Sequence, residues 1–406
     1  MKNILVGQSG GPTAVINASL YGVISEGLKH SGQVGHVYGM INGIEGFLQD
    51  RYMDLSAELK ADDLELLKLT PAAYLGSCRF KLPVDLADPF YPAVFKKLEA
   101  LDIGWFFYIG GNDSMDTASK LSRYAAGIGS DIKFIGIPKT IDNDLVLTDH
   151  TPGYASAAKY VAATVREIAL DASVYQQKSI TIVEIMGRHA GWLTAAAVLA
   201  RKHTGDNPLL VYLPESDFEM DRFAADLQAA LDQQNNIIVC VSEGISDRSG
   251  TFICEYDADE APVDTFGHKM LTGCGKVLEN FIRRQFGIKV RSVELNVSQR
   301  CSGMLVSKTD IEEAAAAGAF GVNAALAGET GVMIAFRRVC DAPYTLEYQT
   351  VDVNQVCNQE KGVPAAWINQ AGNDLEPEFI RYLEPLIRGE VTRKMQDGLP
   401  VYLYRS

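Results

Sequence analysis

Short apolar runs alternate with longer amphipathic stretches along most of the chain, and many of the runs end in glycine and small polar residues. Brief apolar runs read as buried strands, and apolar positions recurring three and four apart read as helices. On this basis residues 4–6 are a strand, followed by a glycine turn at 7–11 and a helix over 14–28. Residues 105–109 form a second strand, ending in Gly110-Gly111-Asn112-Asp113-Ser114 and a helix to about Tyr124. Residues 133–137 form a third, and 155–175 a long amphipathic helix. Strands are predicted at 180–185, 209–213, 237–241, 289–297 and 332–336. Helices are predicted at 273–286 and 311–326, and another opens after Met186-Gly187-Arg188-His189-Ala190-Gly191. Alternation of this kind predicts an α/β fold of two doubly wound domains with mostly parallel sheets. One boundary is placed near residue 150, and the tail from about 365 to 406 is expected to be helical and packed on the body.

The chain has 406 residues, enough for two domains with full cores. A net charge of −14 argues against a nucleic-acid surface and for a cytoplasmic protein. It also requires local cations to draw in any anionic substrate. No apolar run approaches the roughly 18 residues of a membrane span. The seven cysteines contain no CxxC pair and read as free thiols of a reducing compartment. The histidines show no metal-binding spacing.

The densest chemistry lies in Pro138-Lys139-Thr140-Ile141-Asp142-Asn143-Asp144, directly after the third strand. Open α/β sheets place ligands at such strand ends. A cation to hold an anionic group beside a carboxylate to take a proton suits moving that group. Gln8-Ser9-Gly10-Gly11-Pro12-Thr13 and the turn at 110–114 each join a strand to a helix, where backbone N–H groups can cradle phosphate. Thr272-Gly273-Cys274-Gly275-Lys276-Val277 has only part of a Walker pattern and reads as a helix start. Arg188 sits at a helix start, electrostatically unfavourable for a structural cation, which points to an anionic ligand. Glu243 at a strand end can accept hydrogen bonds from sugar hydroxyls or cap the turn. Arg291 and Arg300 flank a predicted strand, and each reads as a surface ion pair or an anion ligand.

Taken in order, these segments resemble the phosphofructokinase family. The matching stretches are Gly10-Gly11, Leu75-Gly76-Ser77-Cys78-Arg79-Phe80, the turn at 110–114, the heptapeptide at 138–144, Val183-Glu184-Ile185-Met186-Gly187-Arg188, Glu243-Gly244 and Gln299-Arg300. The resemblance implies Mg²⁺-assisted transfer of a phosphoryl group to the 1-hydroxyl of fructose 6-phosphate, in a cleft between the domains. It implies a donor domain of residues 1–150 with part of 300–406, and a sugar-phosphate domain of 151–299. Asp142 matches the catalytic base, with Thr140 and Asp144 orienting it. Gly11, Arg79, Gly111, Ser114 and Lys139 match the donor site. Thr140, Ile141, Asp142, Met186, Gly187, Arg188, Glu243, Arg291 and Arg300 match the sugar-phosphate site, with Arg291 able to come from a neighbouring subunit of a homodimer or larger homo-oligomer.

Lys139 and Asp113 stand where ATP-dependent members of the family carry glycine, and pyrophosphate-dependent members resemble this chain at both. Asp113 would repel a nucleotide's α-phosphate, and Lys139 would hold a donor that has no nucleoside to anchor it. The donor is therefore expected to be inorganic pyrophosphate, reacting reversibly. An ATP-dependent enzyme and a non-catalytic regulatory subunit of the same fold are the alternatives. Asn112 stands where many members have an aspartate supporting the metal, so Asp113 and Asn112 are the expected metal residues.

Overall fold

The computed structural model describes residues 1–256 and 273–405. Its strands in chain order are β1 (Lys2–Gln8), β2 (Val34–Met40), β3 (Tyr52–Asp54), β4 (Ile103–Gly110), β5 (Lys133–Pro138), β6 (Ser179–Ile185), β7 (Leu210–Tyr212), β8 (Asn236–Ser242), β9 (Lys289–Glu294), β10 (Val332–Asp341) and β11 (Tyr344–Asp352), followed by a short antiparallel pair at Met395–Gln396 and Leu399–Pro400. The chain divides into two compact units. One comprises residues 1–156, 300–360 and 386–406; the other comprises 157–299 and 361–385.

The first unit holds a sheet of order β11-β10-β5-β4-β1-β2-β3. Pairings from β10 through β2 are parallel, whereas β10 with β11 and β2 with β3 are antiparallel. The central strands are the continuous apolar runs, because a parallel strand covered by helices on both faces must be apolar throughout. All five residues from Phe134 to Pro138 are buried, as are the last five of β4. Two cores flank the sheet. One is built on Ile4, Val6, Phe107, Ile109, Ile135 and Ile137, the other on Leu5, Phe106, Tyr108 and Phe134. Successive residues of one strand thus serve opposite faces.

The second unit holds a parallel sheet of order β7-β8-β6-β9. Its core sets Ile180, Ile182, Val239 and Val241 against Phe223, Leu227, Val277 and Leu278. The helix Tyr154–Ser173 carries the chain from the first unit into the second, so the division falls at 156, close to the boundary expected near 150.

Several expectations need correction. The tail belongs to the body of the fold, residues 361–385 to the second unit and 386–406 to the first, but most of it is not helical. Its helix is limited to Pro377–Leu383, since Pro364, Gly372, Pro385 and Gly389 interrupt any longer one. The segment after Gly191 makes only Trp192–Ala195 and a 3₁₀ turn at Ala196–Ala200. β9 stops at Glu294, and β10 runs on to Asp341 to pair with β11.

Candidate active site

β1, β4 and β5 lie side by side and parallel, so the turns that follow them open at one edge of the sheet. Residues 9–11, 111–114, Lys139, Thr140, Asp142 and Asp144 line one cavity there, together with Cys78, Arg79, Phe80, Lys81, Asn358 and Glu360. Every one of these residues belongs to the first unit.

The turns are tied together at the atomic level. Ser114 Oγ donates to Ser9 Oγ at 3.0 Å, joining the second turn to the first. A Cβ at Gly110 would lie 1.8 Å from that same Ser114 Oγ, so only glycine fits there. Lys139 N donates to Gly110 O at 2.9 Å, and Lys139 Nζ donates to Gly11 O at 2.6 Å. Gly111 precedes the 17-residue helix Asn112–Ile128, whose N-terminus presents N–H groups with no acceptor inside the helix.

Lys139 is 3% exposed. Burial pushes its ammonium down to about 8, against the pull of the Asp142 and Asp144 carboxylates. Burial raises the proton affinity of Asp142, opposed by a hydrogen bond from Thr140 and by the Lys139 charge. Thr140 Oγ1 donates to Asp142 Oδ2 at 3.1 Å and accepts from Asp142 N at 3.1 Å, which fixes the carboxylate on its own loop. Burial and the neighbouring Asp142 push Asp144 up to about 7. Asp144 Oδ1 is buried with no partner among the described residues. Asn143 takes a left-handed φ of 54°, the kink that lets residues 142 and 144 both line the cavity while Asn143 itself is buried. Ile141 is buried beneath the loop.

Asp113 lies on the exposed rim, 3.4 Å from Lys81 Nζ. Lys81 was not singled out in the sequence, although it follows Arg79 by two residues. Asn112, expected as a metal residue, lines the cavity but also makes two hydrogen bonds of its own. Its Nδ2 donates to Gln359 O at 2.6 Å and its Oδ1 accepts from Asn358 N, so both ends of the amide are occupied. Asn358 and Glu360 were also missed, and nothing in their local sequence marks them. Arg300 comes within 3.4 Å of the position a Cβ on Gly11 would take, and its charge acts on both Lys139 and Asp142.

The remaining candidates lie in the second unit. Met186, Gly187 and Arg188 follow β6 and Glu243 follows β8, its neighbour in the sheet. Glu243 Oε1 accepts from Gly187 N at 3.4 Å, and Met186 N donates to Gln299 Oε1 at 3.3 Å. Arg188 is exposed, its guanidinium 5.2 Å from the Phe252 ring centre. Arg291 is not with them. On β9 it pairs with Thr181, four residues before the end of β6, which is roughly 13 Å along a strand. It lines a separate hollow with Glu167, Asp171 and Tyr175. The partial Walker pattern is structural where it can be followed. A Cβ on Gly273 would lie 2.4 Å from Glu184 Oε2, the oxygen that accepts from Gly275 N at 2.7 Å at the start of the helix Cys274–Phe286. Thr272 lies outside the described residues.

Residues 3–325 match the family described as Phosphofructokinase. A protein of Xanthomonas campestris pv. campestris named pyrophosphate–fructose 6-phosphate 1-phosphotransferase is 41% identical over 99% of this chain and 95% of its own length. One of the same name from Halomonas elongata is 38% identical over 98% of this chain and 94% of its own. The crystal structure of a pyrophosphate-dependent phosphofructokinase from Nitrosospira multiformis superposes with a TM-score of 0.90 at 35% identity, covering 99% of this chain and 96% of that one. With a family match over residues 3–325 and relatives about 40% identical over nearly its whole length, the chain belongs to the phosphofructokinase family.

Proposed function

We propose that this protein transfers a phosphoryl group reversibly between inorganic pyrophosphate and the 1-hydroxyl of fructose 6-phosphate, giving fructose 1,6-bisphosphate and phosphate. The observation that carries the reading is the buried Lys139 ammonium, joined to the Gly11 turn and set beside the Asp142 loop. The cavity measures about 800 Å³, room enough for a nucleotide as well as for pyrophosphate, so charge must make the choice. Lys139, Arg79 and Lys81 attract terminal phosphates, and Asp113 at the rim repels an additional one. Names borne by relatives at about 40% identity favour the same donor.

In the forward direction Asp142 accepts the proton of the attacking 1-hydroxyl while Thr140 holds its carboxylate in place. Lys139, Arg79 and the N-terminus of the helix Asn112–Ile128 stabilise charge on the transferring and leaving phosphates. Met186, Gly187, Arg188, Glu243 and Arg300 bind fructose 6-phosphate. Arg291, set apart from these within its own chain, is assigned to the sugar phosphate of a neighbouring subunit in a homo-oligomer.

Enzymes of this kind use a divalent metal ion. The unpartnered Asp144 Oδ1 suits a hard cation. No three acidic, histidine or cysteine side chains among the described residues gather tightly enough to hold an ion unaided. Asp144 and Asp113 are the residues assigned to Mg²⁺, with donor oxygens and water as further ligands, and the ion would neutralise phosphate charge. Asn112 is left out of this set because its amide is already engaged.

A comparison of donors tests the function. With Mg²⁺ and fructose 6-phosphate, pyrophosphate should support turnover and ATP should be nearly inert; an equal or faster rate with ATP would overturn the donor assignment.

A further inference from the structure

We propose that Asn112 is a positioning residue: it clips the 358–360 segment to the donor turn and so fixes Glu360 at the rim of the donor cavity. The inference rests on the donor-site reading above.

The segment follows β11, and its earlier part is anchored to the same helix that Asn112 begins. Val353 and Val356 pack with Met115 and Ala118 of the helix Asn112–Ile128. Ser119 Oγ donates to Asn354 Oδ1 at 2.7 Å, and Val353 N donates to Gly331 O at 3.0 Å. Beyond that, residues 358–360 are exposed and Asn358 takes a left-handed φ of 62°. The two hydrogen bonds to Asn112 hold this exposed, kinked stretch. Asn358 and Glu360 then line the cavity alongside Asp142 and Asp144.

The clip demands a neutral amide. A carboxylate at position 112 could still accept from Asn358 N, but it has no proton for Gln359 O, and two oxygens 2.6 Å apart repel. The asparagine that departs from the family's common aspartate therefore has a structural reason. Glu360 then adds a negative charge to those of Asp113, Asp142 and Asp144, opposite the cations that hold phosphate. Such a rim favours a donor that arrives with its own divalent counter-ion.

The test uses the full chain with Asn112→Asp, Asn112→Ala and Glu360→Gln, singly, and Asn112→Asp combined with Glu360→Gln. Hydrogen exchange at 358–360 should rise about tenfold in both Asn112 variants and stay unchanged in Glu360→Gln, with 353–356 unaffected in all of them. Each single variant should raise KM for magnesium pyrophosphate about fivefold and leave KM for fructose 6-phosphate within about twofold. The double variant should be no worse than Asn112→Asp alone, since the two residues act as one unit. Mn²⁺ titrated without donor and followed by electron paramagnetic resonance should bind Asn112→Asp no more tightly than wild type. Tighter Mn²⁺ binding with unchanged exchange would make residue 112 a metal position and overturn the clip, as would multiplicative effects in the double variant. Exchange and Mn²⁺ binding do not depend on which donor is used, so failure of the donor assignment would show separately, in the rates with pyrophosphate and ATP.

Discussion

At Lys139 two opposing fields meet. Burial disfavours its charge, and the Asp142 and Asp144 carboxylates favour it; burial wins in the free protein and brings the ammonium down to about 8. A lysine poised there is charged when phosphate is to be held, and it loses that charge within the range an enzyme can be assayed. The sign follows directly. The protonated form binds the donor, so kcat/KM for pyrophosphate, which reports the free enzyme, should fall as pH rises through about 8. Lys139→Met should lose most activity together with that alkaline limb. An alkaline limb that persists in Lys139→Met would assign it to another group.

The stretch from 148 to 156 holds the Asp142 loop from behind. Thr151 Oγ1 donates to Thr140 O at 2.8 Å, Thr151 N donates to Asn143 Oδ1 at 3.1 Å, and Thr140 N donates to Pro152 O at 3.2 Å. Its anchor is His150, fully buried, with Nδ1 2.8 Å from Asp149 and Nε2 2.8 Å from Glu313 on the helix Lys308–Leu326. Arg338 on β10 also pairs with Asp149 at 2.9 Å, and Tyr344 on β11 donates to Glu313 at 2.6 Å. Burial alone would push the imidazole down; Glu313 and Asp149 more than reverse this and hold it up at about 9. Burial would likewise raise Asp149, and His150 and Arg338 bring it to about 2. A raised histidine stabilises the fold fully below its ordinary value of 6.5 and ceases to as pH rises through 9. A lowered aspartate contributes above 3.8 and ceases to as pH falls through 2. The network should therefore stabilise most between about pH 4 and 6.5. His150→Leu leaves the buried Glu313 carboxylate without its cation, while Asp149 keeps Arg338, and should cost about 3–5 kcal/mol in urea unfolding at pH 6. The difference from wild type should shrink towards pH 9; a difference independent of pH would deny the charge. The sequence offers this region unevenly. β1, β4 and β5 were legible because strands buried on both faces leave unbroken apolar runs, and the turns after them were legible because glycine and acidic residues cluster there. β11 was not, because an edge strand of mixed exposure breaks the run. Glu313, Arg338 and residues 358–360 were not, because their partners lie far away in sequence and no local pattern encodes those contacts.

Across the whole molecule, the chain passes between its units after 156, 299, 360 and 385, so neither unit is a continuous piece of sequence. The assigned chemistry divides along the same lines. Residues assigned to the donor all belong to the first unit; of those assigned to fructose 6-phosphate, Met186–Arg188, Glu243 and Arg291 belong to the second, while Thr140–Asp142 and Arg300 belong to the first. A net charge of −14 works against both anionic ligands, so binding must depend on these local sets of cations and N–H groups and not on the overall field. Each ligand should then leave its own footprint in hydrogen exchange, because a bound anion stabilises the backbone that holds it. Magnesium pyrophosphate should slow exchange at 8–11, 110–114 and 138–144 and leave 186–188 and 243–244 near their free rates. Fructose 6-phosphate should slow exchange at 186–188 and 243–244, and at 140–142 as well, since the loop of the base is assigned to both ligands. Pyrophosphate protection at 186–188 with none at 8–11 would exchange the roles of the two units. The shared footprint at 140–142 is the sharper requirement. A base that serves both partners must feel each one arrive, and protection there by only one ligand would remove Asp142 from the reaction proposed for it.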